Sequence, residues 1–121
     1  MHTILVHAKQ TYGSDDLAML LDEAWEELRN TPGIAKDDEA TRALLAVPRK
    51  DVLSVFDAEE ARPMGFALTG AALLIAVKIA MAHIPFEKIA EKALEVAAVE
   101  LMKHAIQRII RKRPGELTIG K

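Results

Sequence analysis

The residues best suited to chemistry in this sequence are four histidines, His2, His7, His83 and His104. Glu100 and His104 are four residues apart, a spacing at which two side chains on one helix can share a metal ion. A metal site would need further ligands, and no second pair with this spacing lies on an uninterrupted predicted helix. The pattern therefore favours an ordinary surface pair of Glu100 with His104, and we expect neither a metal nor a cofactor.

A second candidate for chemistry is the turn that contains Ser14, Asp15 and Asp16. A hydrolytic site would need Ser14 and Asp16 beside a histidine, and nothing in the sequence brings such groups together. Capping of a helix that starts here explains all three residues, because serine is favoured at the N-cap and acids are favoured in the first turn. We expect no catalytic residues, and a small enzyme with a His/Asp site is kept as an alternative function.

Charged residues are divided unevenly along the chain. Residues 1–60 contain 13 acids and 6 bases, whereas residues 61–121 contain 5 acids and 10 bases. Such a division can stabilise contacts within one chain or steer contact between chains. The acids predicted to face a partner are Asp22, Glu23, Glu26 and Glu27, and the basic cluster is Arg108, Arg111, Lys112 and Arg113. The net charge of −2 argues against nucleic acid as the main ligand, so the basic cluster is expected to complement a helix dipole and aid solubility.

Length and composition limit the class of protein. The chain has 121 residues, of which 50% are hydrophobic and 4% aromatic. This length and composition fit a single folded domain over residues 1–121. The chain has too few aromatic residues for a typical β-sandwich or β-barrel. The lack of cysteine excludes disulfides, thiol catalysis and cysteine-based zinc sites, and the six glycines form no phosphate-binding motif. No targeting or lipidation motif is evident, so a cytoplasmic location is expected.

The acidic N-terminal part, residues 1–63, begins with a predicted strand and helix. Residues 3–7 are β-branched and aliphatic, which is typical of a short strand. Apolar residues then recur at three- and four-residue steps from Leu17 to Leu28, with acids on the other face. This spacing predicts an amphipathic helix, with Ser14 as its N-cap.

Shorter elements are predicted in the rest of that part. A helix is expected over residues 38–46, capped by Asp37 and stopped before a proline. Residues 52–56 fit either a second strand or the start of a helix, because a short apolar run does not separate the two. Asp57, followed by two glutamates, resembles another helix cap.

The C-terminal part, residues 64–113, is the most distinctive segment. Lys78 is the only charged residue in the largely apolar segment 64–84, which predicts a helix that is buried on every side. Pro85 is expected to break this helix before a second long helix over residues 86–113. Together the two elements predict a helical hairpin in which the first helix is apolar and the second ends in basic residues.

A last strand is predicted over residues 116–119 and is expected to pair with the first one. The fold class that follows is mainly α with a minor β component, in which a long C-terminal helical hairpin accompanies short N- and C-terminal strands. An all-α bundle is the alternative. Either fold forms one domain.

The predicted apolar helix has more surface to cover than its own chain offers, which indicates self-association. A membrane-docking or membrane-inserting role for residues 65–84 is an alternative, but Lys78 offsets most of the favourable insertion free energy. Lys78 is expected either to reach the surface along its aliphatic stem or to pair with an acid from residues 15–60. The predicted interface residues are Leu73, Leu74, Val77, Lys78 and Met81.

The function predicted from these patterns is a non-enzymatic protein–protein interaction or assembly module, in effect a scaffold. It is expected to form a homo-oligomer through its C-terminal hairpin. The acidic face of the first helix would be open to another protein partner. Nucleic acid is not an expected partner, and membrane contact is not favoured.

Overall fold

A computed structural model describes residues 2–8, 12–34, 38–68, 72–83 and 89–120. The described ranges contain four α-helices and four β-strands, so the predicted α+β class is confirmed and the all-α alternative is wrong. In chain order the elements are β1 (Thr3–Ala8), α1 (Ser14–Arg29), α2 (Glu39–Leu45), β2 (Leu53–Phe56), α3 (Ala58–Ala61), β3 (Ala72–Val77), α4 (Glu91–Lys112) and β4 (Leu117–Ile119).

The four strands form one antiparallel sheet in the order β2-β3-β1-β4. The predicted pairing of the first and last strands is confirmed, with Ala8 opposite Leu117 and Val6 opposite Ile119. The strand order is that of the split β-α-β topology of ferredoxin-like domains, with the short helix α3 added between β2 and β3. This topology carries many unrelated functions, so it does not indicate one here.

The core lies between one face of the sheet and the helices α1, α2 and α4. Because side chains alternate along a strand, Val6 of β1 and Ile75 of β3 point into this core together. Trp25 of α1 is buried there, and its indole Nε1 donates a hydrogen bond to the carbonyl oxygen of Val47 at 3.0 Å. The buried residues of α1 are those of the predicted apolar stripe, namely Leu17, Leu20, Leu21, Ala24, Trp25 and Leu28.

Two of the predicted helix caps are displaced by one residue. The N-cap of α1 is Gly13 rather than Ser14, and the Asp16 carboxylate accepts a hydrogen bond from the Gly13 amide at 2.8 Å. Asp38 caps α2 by accepting a hydrogen bond from Ala40, whereas the predicted cap at position 37 lies outside the described residues. Asp57 caps α3 as predicted.

The predicted apolar helix over residues 64–84 is wrong, and so is the hairpin of which it was one arm. Its described part contains a single 3₁₀ turn before β3, the strand β3, and a second 3₁₀ turn at Met81–His83. A strand that is buried on both faces has apolar residues at every position. Its sequence therefore lacks the alternation of apolar and polar residues that would distinguish it from a buried helix. The second arm is confirmed as α4, which begins at Glu91; Pro85 and residues 86–88 lie outside the described ranges.

All six residues of β3 are buried within one chain. Leu73, Ile75 and Val77 belong to the core, whereas Leu74 points to the opposite face of the sheet and is only 2% exposed. On that face, α3 packs against β2 and β3. The argument that this segment needs a second chain to cover it is therefore wrong, because its own chain covers it.

Candidate functional site

The five predicted interface residues fall into two groups. Leu73 and Leu74 are buried inside β3, so they are not available to a partner, and this part of the prediction is wrong. Val77, Lys78 and Met81 lie at or just beyond the end of the same strand. Lys78 is exposed, and 45% of the Met81 surface is accessible.

The end of β3 leads into a surface pocket of about 90 Å³. Val77, Ile79 and Met81 form its apolar side, and Glu91 and Glu95 of α4 form its acidic side. We call these five residues the β3-end surface. Its small volume suits one side chain of a partner and is too small for a drug-sized ligand, whose sites usually measure about 300 Å³ or more.

Backbone hydrogen bonds fix the path of the chain through the β3-end surface. The amide of Val77 donates to the carbonyl oxygen of His2 at 2.9 Å, and the amide of Lys78 donates to Val52 at 2.9 Å. Beyond the strand, the amide of Ala80 donates to Asp51 at 2.7 Å. These hydrogen bonds hold the backbone from Val77 to Ala80, the segment that leads to Met81.

Lys78 is exposed, and within the described parts of residues 15–60 no acid forms an ion pair with it. Its ammonium group lies 5.8 Å from the centre of the Phe56 ring, at the surface. This cation–π contact at an exposed site is worth about 0.5–1 kcal/mol. Of the two predicted outcomes for Lys78, the structure shows the one in which its charge reaches the surface.

Most of the predicted acidic face is paired within the chain. The Asp22 carboxylate accepts a hydrogen bond from the Arg49 guanidinium at 2.8 Å, and Glu26 pairs with Arg29 on the same helix. Glu27 pairs with two bases of α4, as described next. Glu23 is exposed and has no ion pair with any residue that the structure describes. The face therefore offers little free charge to a basic partner.

The predicted basic cluster lies at the end of α4, beside α1. Arg108 and Lys112 both pair with Glu27, the former at 3.8 Å, and Arg113 lies 3.7 Å from the Glu116 carboxylate. A cleft of about 270 Å³ separates the two helices here. Apolar residues and charged groups of both signs line it, namely Leu20, Glu23, Ala24, Glu27, Arg108, Ile109, Lys112 and Arg113. Its charges largely neutralise one another across the helix pair.

A third depression, of about 350 Å³, lies between α1 and the turn Arg49–Asp51. Its arginines support the backbone of that turn. Arg29 donates hydrogen bonds to the carbonyl oxygens of Leu45 and Val47, and Arg49 donates to Leu53 at 2.8 Å. The guanidinium groups are thus engaged in holding the connection between α2 and β2 against α1.

Tyr12 joins two distant parts of the chain through its hydroxyl group. Its hydroxyl donates a hydrogen bond to Glu116 Oε2 at 2.6 Å. That hydrogen bond, with burial and the negative charge of Glu116, raises the pKa of Tyr12 above its ordinary value of 10.0, and Arg113 opposes the shift. The contact joins the segment before α1 to the turn before β4.

The residues of the alternative catalytic site serve other roles or lie apart from any cluster. The Asp16 carboxylate caps α1, His7 lies on β1 with its ring against Gly120, and His104 is exposed on α4. Glu100 lies 3.7 Å from Lys103, so the predicted pair of Glu100 with His104 is replaced by an ion pair one turn of helix away. Within the described ranges no three His, Asp or Glu side chains converge to hold a metal ion.

Sequence reasoning missed the acidic side of the β3-end surface. The sequence patterns assigned neither Glu91 nor Glu95 to a site. Their spacing of four residues places both on one face of α4, which is the signal that was available. Their position beside β3 could not be predicted, because the apolar segment 64–84 shows no period that distinguishes a strand from a buried helix.

Comparison with known proteins adds no relative. No protein family, no curated protein and no solved structure matches this chain. Separately, none of the helices in the described ranges has the length and hydropathy needed to cross a bilayer.

Proposed function

We propose that this protein is a non-enzymatic protein–protein interaction module, a scaffold that self-associates in the cytoplasm. The observation that carries the proposal is the β3-end surface, where Met81 is 45% exposed and lines a pocket together with Val77 and Ile79. Val77 belongs to the core and Ile79 packs against it, whereas the exposed side chain of Met81 is free to contact another molecule.

The β3-end surface has the composition of a small docking site. Its centre is apolar, and its edge carries the carboxylates of Glu91 and Glu95. Burial of the exposed part of Met81 would contribute roughly 1 kcal/mol. That is too little for a stable complex by itself, because specific interfaces bury about 800 Å² per partner. The neighbouring charged residues must therefore contribute to the contact and select the partner.

Fixed geometry also favours a binding role. Hydrogen bonds from Val77, Lys78 and Ala80 to other parts of the backbone hold the segment that carries Met81. A surface whose shape is set before binding loses little conformational entropy when a partner arrives. The proposed interface thus lies at the end of the apolar segment and not in its middle. Of the predicted interface residues, Val77 and Met81 belong to the β3-end surface, and Lys78 lies next to it in sequence.

Sedimentation velocity over a concentration range of about 1 to 500 µM tests the proposal. The wild type is expected to sediment faster as the concentration rises, whereas Met81→Asp is expected to remain a monomer. Met19→Asp is the matched control, because Met19 is 65% exposed on α1 and lies outside the β3-end surface. A wild type that stays monomeric across the range, or a Met81→Asp variant that associates as strongly as the wild type, would contradict the proposal.

A further inference from the structure

We infer that the β3-end surface receives the basic end of α4 from a second copy of this chain, so that copies join head to tail. This inference rests on the self-association proposed above and names the partner surface. It follows from the distribution of ion pairs along α4 and from the positions of the two ends of that helix.

Two carboxylates near the start of α4, those of Glu91 and Glu95, have no ion-pair partner among the residues that the structure describes. Both are exposed, and neither forms a hydrogen bond with a residue in the described ranges. Both line the pocket that Ile79 and Met81 form. A group that suits this surface has a positive charge next to an apolar body, as an arginine or lysine side chain does.

The basic end of α4 offers such a group in Arg111. Glu27 pairs with Arg108 and Lys112, and Glu116 lies beside Arg113. Arg111 is exposed and has no ion pair within the described part of the chain. It is therefore the member of the basic cluster that remains available to a second molecule.

The two surfaces lie at opposite ends of the domain. Helix α4 has 22 residues and is therefore about 33 Å long. Its start lies near the end of β3, which is bonded to His2 at the beginning of β1, and its end leads into Leu117, which lies opposite Ala8 at the end of β1. One chain cannot bring Glu95 into contact with its own Arg111.

Contact between two different surfaces has a structural consequence. A symmetric dimer uses the same patch on both subunits, whereas a head-to-tail contact leaves one surface free at each end of the complex. Copies of this chain are therefore expected to form rings or open chains that grow with concentration. Because exposed charges form the contact, added salt is expected to weaken it several-fold.

Charge exchange tests this arrangement. Glu95→Arg and Arg111→Glu are each expected to weaken self-association about tenfold, since each places like charges at the contact. The double variant Glu95→Arg/Arg111→Glu is expected to recover association, and so is an equimolar mixture of the two single variants. Glu59→Arg and Arg62→Glu, two exposed positions on or next to α3, are matched controls that should leave association unchanged.

Sedimentation velocity reads all of these outcomes, and circular dichroism shows whether each variant is folded. If a charge reversal unfolds the protein, the neutral variants Glu95→Gln and Arg111→Gln replace it and are expected to weaken association by a smaller factor. Single variants that associate like the wild type, or a double variant that does not recover, would overturn the head-to-tail contact and leave the proposed function standing. A wild type that remains monomeric would overturn both.

Discussion

The carboxylate of Glu27 on α1 lies 3.8 Å from the guanidinium of Arg108 on α4. The same carboxylate pairs with Lys112, and Arg108 also donates a hydrogen bond to the Thr31 hydroxyl at 2.8 Å. The acidic first half and the basic second half of the chain thus meet inside one fold. The charges of Glu27, Arg108 and Lys112 thus stabilise the packing of α1 against α4 and are not available to a partner.

Replacing Glu27 with glutamine is expected to lower the free energy of unfolding by about 0.5 to 1 kcal/mol at low ionic strength. The loss is modest because Glu27 and Arg108 are each about 31% exposed, so that solvent screens their attraction. Salt at about 1 M should remove most of the difference. Urea unfolding followed by the fluorescence of Trp25, the one tryptophan, measures it.

The control for that experiment is Glu26→Gln. Glu26 pairs with Arg29 on the same helix, and such pairs contribute only about 0.3 to 0.5 kcal/mol. If Glu27→Gln lowers the free energy of unfolding no more than Glu26→Gln does, the ion pairs between α1 and α4 do not stabilise the fold beyond an ordinary pair within one helix.

The burial of β3 makes a second prediction. Leu74→Ala is expected to lower the free energy of unfolding by about 2 to 5 kcal/mol, since Leu74 is 2% exposed and its truncation leaves a cavity. Met81→Ala, seven residues further on at the surface, should change it by about 0.5 kcal/mol or less. Urea unfolding of the two variants compares them directly. A Leu74 variant that stays as stable as the wild type but loses self-association would restore Leu74 to an interface and contradict its position in the sheet.

Sequence patterns predicted the elements whose two faces differ. The stripe from Leu17 to Leu28 alternates with acids at helical spacing, and it forms α1. The same holds for α4, and the β-branched segments at both ends of the chain form β1 and β4. In both helices one side meets the core and the other meets water, so that the helical period is visible, whereas the two strands were predicted from their β-branched residues.

The pattern failed where both sides of an element are covered. Ala72, Leu74 and Ala76 face one way and Leu73, Ile75 and Val77 face the other, yet all six are buried. No period survives in such a segment, and its alanines favoured a helix by intrinsic propensity. The acidic side of the β3-end surface could not be predicted either, because recognising that Glu91 and Glu95 lie beside β3 requires knowing where β3 ends.

The contact between Tyr12 and Glu116 predicts a response to alkaline pH. Because the folded-state pKa of Tyr12 is raised above 10.0, the hydrogen bond adds stability that is complete below pH 10 and is lost as the pH rises through the folded-state pKa. Tyr12 is the only tyrosine, so the absorbance of its tyrosinate form titrates this group alone. Glu116→Gln should lower the pKa towards its ordinary value, and Glu100→Gln should not change it. A pKa of Tyr12 that is the same in the wild type and in Glu116→Gln would contradict the contact.

The junction of the first and last strands leaves no room for a side chain at position 120. The Gly120 amide donates to the carbonyl oxygen of Leu5 at 2.6 Å, and a Cβ at this glycine would lie 2.5 Å from Nε2 of His7 and 3.0 Å from Cδ2 of Leu5. Gly120→Ala is therefore expected to cost about 0.5 to 1.5 kcal/mol, because the imidazole ring must leave its preferred rotamer.

Removal of that ring should recover part of the loss. In a double-mutant cycle, His7→Ala is expected to reduce the cost of Gly120→Ala, although not to zero, since the contact with Leu5 remains. His104→Ala is the control, because His104 lies exposed on α4, outside the contacts of Gly120. Urea unfolding of the variants gives the coupling free energy. Strictly additive effects of His7→Ala and Gly120→Ala would show that Gly120 does not lie against His7 of β1.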